Sequence, residues 1–158
     1  AGPSVWMSQP SANRYIRQLL PVLAQALDRL GMMPERDGQE VMRHERRHGE
    51  ANDLMVDGVE RRRHRPKHRE TQAIHYSGKK KAPSDKNVVV VNTQTKRVSF
   101  LSQTLPGSVH DKKAADHAAI RYPSNTILRS DLGLQGYAPK VREHLQPKKA
   151  KEQRVETG

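Results

Sequence analysis

The run NVVVVN (87–92) constrains the fold more than any other stretch of the chain. Four consecutive β-branched residues favour extended backbone, so the run reads as a short, fully apolar strand. TQTK after it makes a turn, and RVSFLSQTL (97–105), which alternates in part, reads as the partner strand. LMVDGVE (54–60) is a strand ahead of these two. PGSVH then turns the chain into DKKAADHAAI, a helix of about ten residues capped near Ser108 or Asp111. TILRSD (126–131) is a further strand, GLQGYAP the loop after it, and KVREHL (140–145) a short helix.

The order is therefore strand, strand, strand, helix, strand, helix. Three consecutive strands suggest an antiparallel meander, which the helix-linked strand joins in parallel as a crossover unit. That is the opening half of a ribonuclease-H-like α/β domain with a mixed sheet, here incomplete. A helical segment precedes it. In SQPSANRYIRQLLPVLAQALDRLG, Ser8 or Ser11 serves as the N-cap and Pro10 is tolerated in the first turn. Ile16, Leu19, Leu20, Leu23, Ala26, Leu27 and Leu30 form one apolar face, Pro21 should kink or divide the helix, and Gly31 should stop it. Residues 31–51 are polar and weakly periodic, as expected of a loop with a short helix. The expected organisation is a helical segment over 1–31, a linker over 32–51, a partial nuclease-like domain over 52–150 and a basic tail over 151–158.

Charge narrows the partners. Residues 1–56 hold seven Lys/Arg and seven Asp/Glu, so the whole net charge of +12 falls on residues 57–158. A one-sided excess of this size points to a polyanion, most simply nucleic acid, although a very soluble or ribosome-like basic chain has the same balance. Six of the nine residues in RRRHRPKHR (61–69) are Lys or Arg. Arg61, Arg62, Arg63, Arg65 and Lys67 are the expected phosphate contacts, with Lys79, Lys80 and Lys81 as a second group; the alternative is a solvated loop. No run of about 18 apolar residues marks a membrane span, and the first residues lack the pattern of a signal peptide. Cysteine is absent, which excludes disulfides and thiolate metal sites and fits a reducing compartment.

Two aspartates stand out. Asp is depleted in strands and costly beside apolar neighbours, yet Asp57 sits inside LMVDGVE, while Asp131 ends TILRSD. If the first and fourth strands are neighbours, the two carboxylates meet at one end of the sheet. Carboxylates that close repel unless a divalent cation takes up their charge, and Mg²⁺ or Mn²⁺ suits an all-oxygen site. Two such ions about 4 Å apart activate a water or 3′-hydroxyl and stabilise the leaving oxygen of a phosphodiester. The plainer reading is two turns, a DG turn at Asp57 and another at Asp131 and Gly133.

DGVERRRHRP (57–66), YSGKKK (76–81), DKNVVVVN (85–92), PGSVHDKKAAD (106–116), DLGLQGY (131–137) and QPKK (146–149) occur in the order of a known family. Over residues 52–150 the chain resembles the DDE-type transposases of bacterial insertion sequences, in the branch whose nuclease domain is shared with Harbinger-type elements. The SQPSANRYIRQLLPVLAQAL segment is similar to the recognition-helix end of the helix-turn-helix that precedes that domain. The resemblance implies a ribonuclease-H-like fold, metal-dependent cleavage and transfer of DNA strands at transposon ends, and a place on the nucleoid in the bacterial cytoplasm. It also implies catalytic, metal-binding roles for Asp57 and Asp131, and an assisting metal role or helix capping for Asp111. The chain departs from the family at Val59, where Thr is usual, at Leu134, where an aromatic is usual, and at Pro83-Ser84, where His-Thr is usual. The family's third carboxylate, a glutamate on a later helix, has no counterpart: Glu143, Glu152 and Glu156 are the only glutamates after Asp131, none in a matching context. The expectation is a chain cut at both ends and inactive alone, or else a non-catalytic basic DNA-binding protein on the same scaffold.

HERRH (44–48) fits the zinc-protease pattern of two histidines one helical turn apart with a glutamate base. The surrounding MRHERRHGEAN shows no apolar face for a core, and its two internal arginines repel a cation, so zinc is not expected there.

Overall fold

A computed structural model describes residues 6–48 and 53–148, so the tail over 151–158, with Glu152 and Glu156, lies outside the described residues. The chain divides after Met33 into two compact units. The first is a single helix, α1 (Gln9–Arg29), capped by the Ser8 side chain, which accepts from the Ser11 N–H. Pro10 occupies its first turn, and Pro21 lies inside it without dividing it. Its end is a Schellman closure, with Gly31 N–H donating to Asp28 O, Met32 N–H to Leu27 O, and Gly31 at φ +60°. Ile16, Leu19, Leu20 and Leu23 lie exposed along one stripe.

The second unit begins with a 3-10 turn (Gly38–Glu40) and α2 (Val41–His48). The stretch read as too polar to pack against a core does pack. Val41 is fully buried, Glu45 accepts from Asn92 Nδ2 at 2.8 Å, and His44 faces Glu35. Helical spacing puts 41, 44 and 45 on one side, and the polar pair is held by partners rather than by apolarity.

Seven strands follow: β1 (Asp53–Arg62), β2 (Tyr76–Ser77), β3 (Ala82–Asn92), β4 (Val98–Leu101), β5 (Leu105–Pro106), β6 (Ile127–Ser130) and β7 (Glu143–Leu145). The main path runs β2-β3-β1-β6-β7, with β4 and β5 also on β3. β3 is antiparallel to β1, β4 and β5, whereas β6 lies parallel to β1. The meander and crossover expected from the pattern are therefore present. Between them lie α3 (Arg69–His75), which the pattern did not reveal, and α4 (Asp111–Ala118), the crossover helix.

RVSFLSQTL is two short strands rather than one: at Ser102 the hydroxyl replaces the carbonyl as β3's partner, its Oγ accepting from Val88 N–H while its own N–H donates to the Val88 carbonyl. KVREHL is not a helix: residues 143–145 pair in parallel with β6 as β7. An open edge beside β6 satisfies that backbone, and His144 Nε2 lies 2.8 Å from Ser130 Oγ, so tertiary contacts override weak helix propensity.

The NVVVVN run sits at the centre. One sheet face, with Leu54, Val56, Val88, Val90, Phe100 and Leu128, packs against Ala114 and Ala115 of α4, Val41 of α2, and Leu134 and Tyr137 beyond β6. The other face leaves Met55, Val59 and Val98 exposed. Among the described residues no helix is long and apolar enough to cross a membrane.

Candidate active site

The β1–β6 ladder places the two aspartates. Its last pair is Val56 opposite Ser130, and the next residue on each strand is Asp57 and Asp131. Asp57 remains within β1, opposite Val89 of β3, whereas Asp131 leaves β6 to cap a 3-10 turn (Leu132–Leu134). Each carboxylate commits one oxygen locally: Asp57 Oδ1 accepts from Gly58 N–H at 2.6 Å, and Asp131 Oδ1 from Gly133 N–H at 2.9 Å. No other hydrogen bond or ion pair reaches either carboxylate among the described residues. Surrounding protein desolvates Asp57, and the negative charges of Asp131 and Asp111 add to this, so its pKa lies above the ordinary carboxylate value. The Gly58 N–H and the Lys79 charge act in the opposite direction. Two carboxylates at adjacent register positions, with the charge of one opposing ionisation of Asp57, form a site suited to a cation.

Asp111 is the third acid near this place, and its position differs from the capping expectation. His110 is the N-cap of α4, without a side-chain cap, and Asp111 is the first helical residue. Its Oδ1 lies 2.8 Å from Lys86 Nζ. A Cβ added to Gly58 would stand 2.7 Å from Asp111 Oδ1, and one on Gly133 would stand 2.7 Å from Asp111 Oδ2. The missing side chains of the two glycines thus leave the room that Asp111 fills, between the strand that carries Asp57 and the turn that carries Asp131.

The structure separates the expected phosphate contacts into two groups. Arg63 Nη1 lies 3.0 Å from Asp85 Oδ1, Arg65 Nε donates to Gln72 Oε1 at 2.9 Å, and Arg61 Nη2 donates to Thr104 Oγ1 at 3.3 Å. Arg62, Lys67, Lys79, Lys80 and Lys81 are exposed and carry no side-chain bond among the described residues. The three lysines form the tip of the β2–β3 hairpin, with Lys81 in the left-handed region at φ +49°.

Glu143 stands away from the aspartates. It pairs with Ile127 at the start of β6, about 13 Å along the strand from the position of Asp131. Two positions that the sequence did not flag lie closer. Gln146 Nε2 donates to the Asp131 carbonyl at 2.7 Å and to Ser130 Oγ, bracing the turn from β7. Lys86, from the DKN preceding the valines, is buried beside Asp111. The available signal was strand alternation, which turns Lys86 to the same face as Val88 and Val90.

A family model described as DDE superfamily endonuclease matches residues 56–138, more than half of the chain. The chain belongs to this family. No curated protein and no solved structure matches it. The matched span takes in Asp57, Asp111 and Asp131. DDE endonucleases act on DNA and generally use divalent metals.

The residues present fit such an ion in part. Among the described residues, no group of three or more His, Asp or Glu is arranged to hold a metal. Asp57 and Asp131 nonetheless supply hard oxygen donors at adjacent positions, each with an oxygen free of other bonds, and Mg²⁺ commonly binds through one or two carboxylates with water completing its shell. HERRH does not fit zinc, since His44 and Glu45 are spent on Glu35 and Asn92.

Proposed function

We propose that this chain carries the core of a transposase-type DDE nuclease, of the bacterial insertion-sequence branch shared with Harbinger-type elements. Its substrate is DNA at transposon ends, and its place is the nucleoid in the bacterial cytoplasm. The reading rests above all on one observation: the parallel β1–β6 register, continued by one residue, brings Asp57 beside Asp131. The sheet path supports a ribonuclease-H-like fold, because the three-strand meander and the parallel crossover strand stand in the order that fold requires.

In this account Asp57 and Asp131 hold Mg²⁺ or Mn²⁺. The bound ion supplies charge stabilisation for phosphodiester chemistry and a more acidic attacking water or hydroxyl. The chain's own part is to bind and orient. Arg62, Lys67 and Lys79–Lys81 meet backbone phosphates, which sets affinity and register rather than sequence choice. Arg61, Arg63 and Arg65 shape the loop that presents them. Asp111 stands behind the pair as an auxiliary carboxylate.

A second reading, a basic DNA-binding protein without catalysis, is favoured by the position of Glu143 at the far end of β6. Binding of duplex DNA with and without Mn²⁺ separates the two. The nuclease-core reading expects Mn²⁺ to tighten binding by at least tenfold, and Asp57→Asn and Asp131→Asn each to remove that increment. Cation-independent, salt-sensitive binding that is indifferent to both substitutions would establish the second reading instead.

A further inference from the structure

Lys86 is 5 % exposed, and among the described strand residues no other charged side chain is as buried. Its neighbours on the same face of β3 are Val88 and Val90, so its stem lies in the core and only its ammonium needs partners. Those partners are specific. Nζ lies 2.8 Å from Asp111 Oδ1 and donates to the Val109 carbonyl, both at the entry to α4. Directly across the β1–β3 ladder stands Glu60: burial, the largest single effect, pushes its carboxyl pKa up, but hydrogen bonds from Ser77 and Ser84 with the charges of Lys86 and Lys80 together bring it below the ordinary value. Taking a lysine and an aspartate out of water is expensive, and an apolar pair in the same volume is commonly no less stable. One use of such a buried pair is to fix the place of one of its members.

We propose that Lys86 is a positioning residue for the carboxylate site, resting on the nuclease-core reading above. By binding Asp111 Oδ1 it turns the other oxygen, Oδ2, toward the Gly133 turn that carries Asp131. The same bond keeps Oδ1 against Gly58, next to Asp57. The glycine geometry fixes both ends, because a Cβ on Gly133 would meet Asp111 Oδ2 at 2.7 Å and the Asp131 oxygens at 3.2 and 3.4 Å. Asp111 Oδ2 is thereby an oxygen directed at the pair yet held back by the fold. Its service to a cation there, directly or through water, depends on the lysine behind it. Lys86 itself touches neither substrate nor ion.

The test uses Mn²⁺ binding to the full chain, read by calorimetry and by the electron-spin signal of free Mn²⁺, with unfolding temperature as the control on folding. Lys86→Met leaves Asp111 buried without its partner, so the variant will lose stability for reasons unrelated to positioning. Lys86→Met combined with Asp111→Asn removes that stranded charge and restores stability. The expected result is Mn²⁺ affinity at least tenfold weaker in both variants, with the double variant folding well and binding as Asp111→Asn alone does, so that losing Lys86 costs nothing once Asp111 is gone. Gly133→Ala, which presses on Asp111 Oδ2, should weaken binding likewise. Native affinity in the stable double variant would overturn the inference and leave the pair a structural tie for α4. Absence of Mn²⁺ binding in the native chain itself would overturn the two-aspartate reading and this inference with it.

Discussion

Asp57 faces a cost that its neighbours impose. Desolvation, then the charges of Asp131 and Asp111, raise its pKa above the unfolded value of 3.8. A carboxyl with a raised folded pKa binds its proton more tightly in the folded state, so its contribution to stability is greatest at low pH. That contribution falls as pH rises from 3.8 through the folded value and stays unfavourable at neutral pH. Asp57→Asn should therefore raise the unfolding temperature at pH 7 in the absence of divalent ions, and the gain should vanish below pH 4, as scanning calorimetry across pH would show. Asp57 and Asp131 were legible because an acid at an apolar strand is conspicuous. Lys86 was not, because a lysine beside a valine run reads as a strand end until the long register of β3 carries the strand back to Ala82.

At the scale of elements, β3 carries the fold. It pairs with β1, β2, β4 and β5, and its Val88 and Val90 meet Phe100 and Leu128 in the core. Phe100→Ala should cost about 3–5 kcal/mol in urea unfolding, since a fully buried ring leaves a cavity that a sheet cannot close. At α2, Glu45→Ala should cost about 1–3 kcal/mol, because the buried Asn92 amide loses its acceptor. The strands with strong apolar patterns were legible, and so was a short helix within residues 31–51. The packing of α2 on the core and the strand β7 were not, for a common reason: each is held by polar contacts to distant residues, Asn92 for one and Ser130 for the other. Hydrophobic periodicity carries no trace of such partners. α3 was hidden in the same way, its first turns tied to the basic loop by Gln72, which bonds both Arg65 and the Pro66 carbonyl.

Over the whole molecule, the +12 charge is concentrated in the part that carries the site. Not every cation there has the same use. Replacing Lys79, Lys80 and Lys81 together with Ala should reduce the slope of log affinity against log salt by about 0.9 for each DNA phosphate that is no longer neutralised. Arg63→Ala should leave that slope nearly unchanged and instead lower stability by about 1 kcal/mol, because it breaks a half-buried pair with Asp85. Filter binding across a salt series, with unfolding curves alongside, distinguishes the two outcomes. The proposed role of Asp57 and Asp131 is to hold a divalent ion together. Its most direct test is thermal unfolding of the native chain, Asp57→Asn and Asp131→Asn with and without Mn²⁺. At a hundredfold excess over the dissociation constant the native chain should gain about 2.7 kcal/mol, or roughly 5–11 °C at this size, and both variants should gain nothing. An equal gain in the variants, or none in the native chain, would contradict the claim.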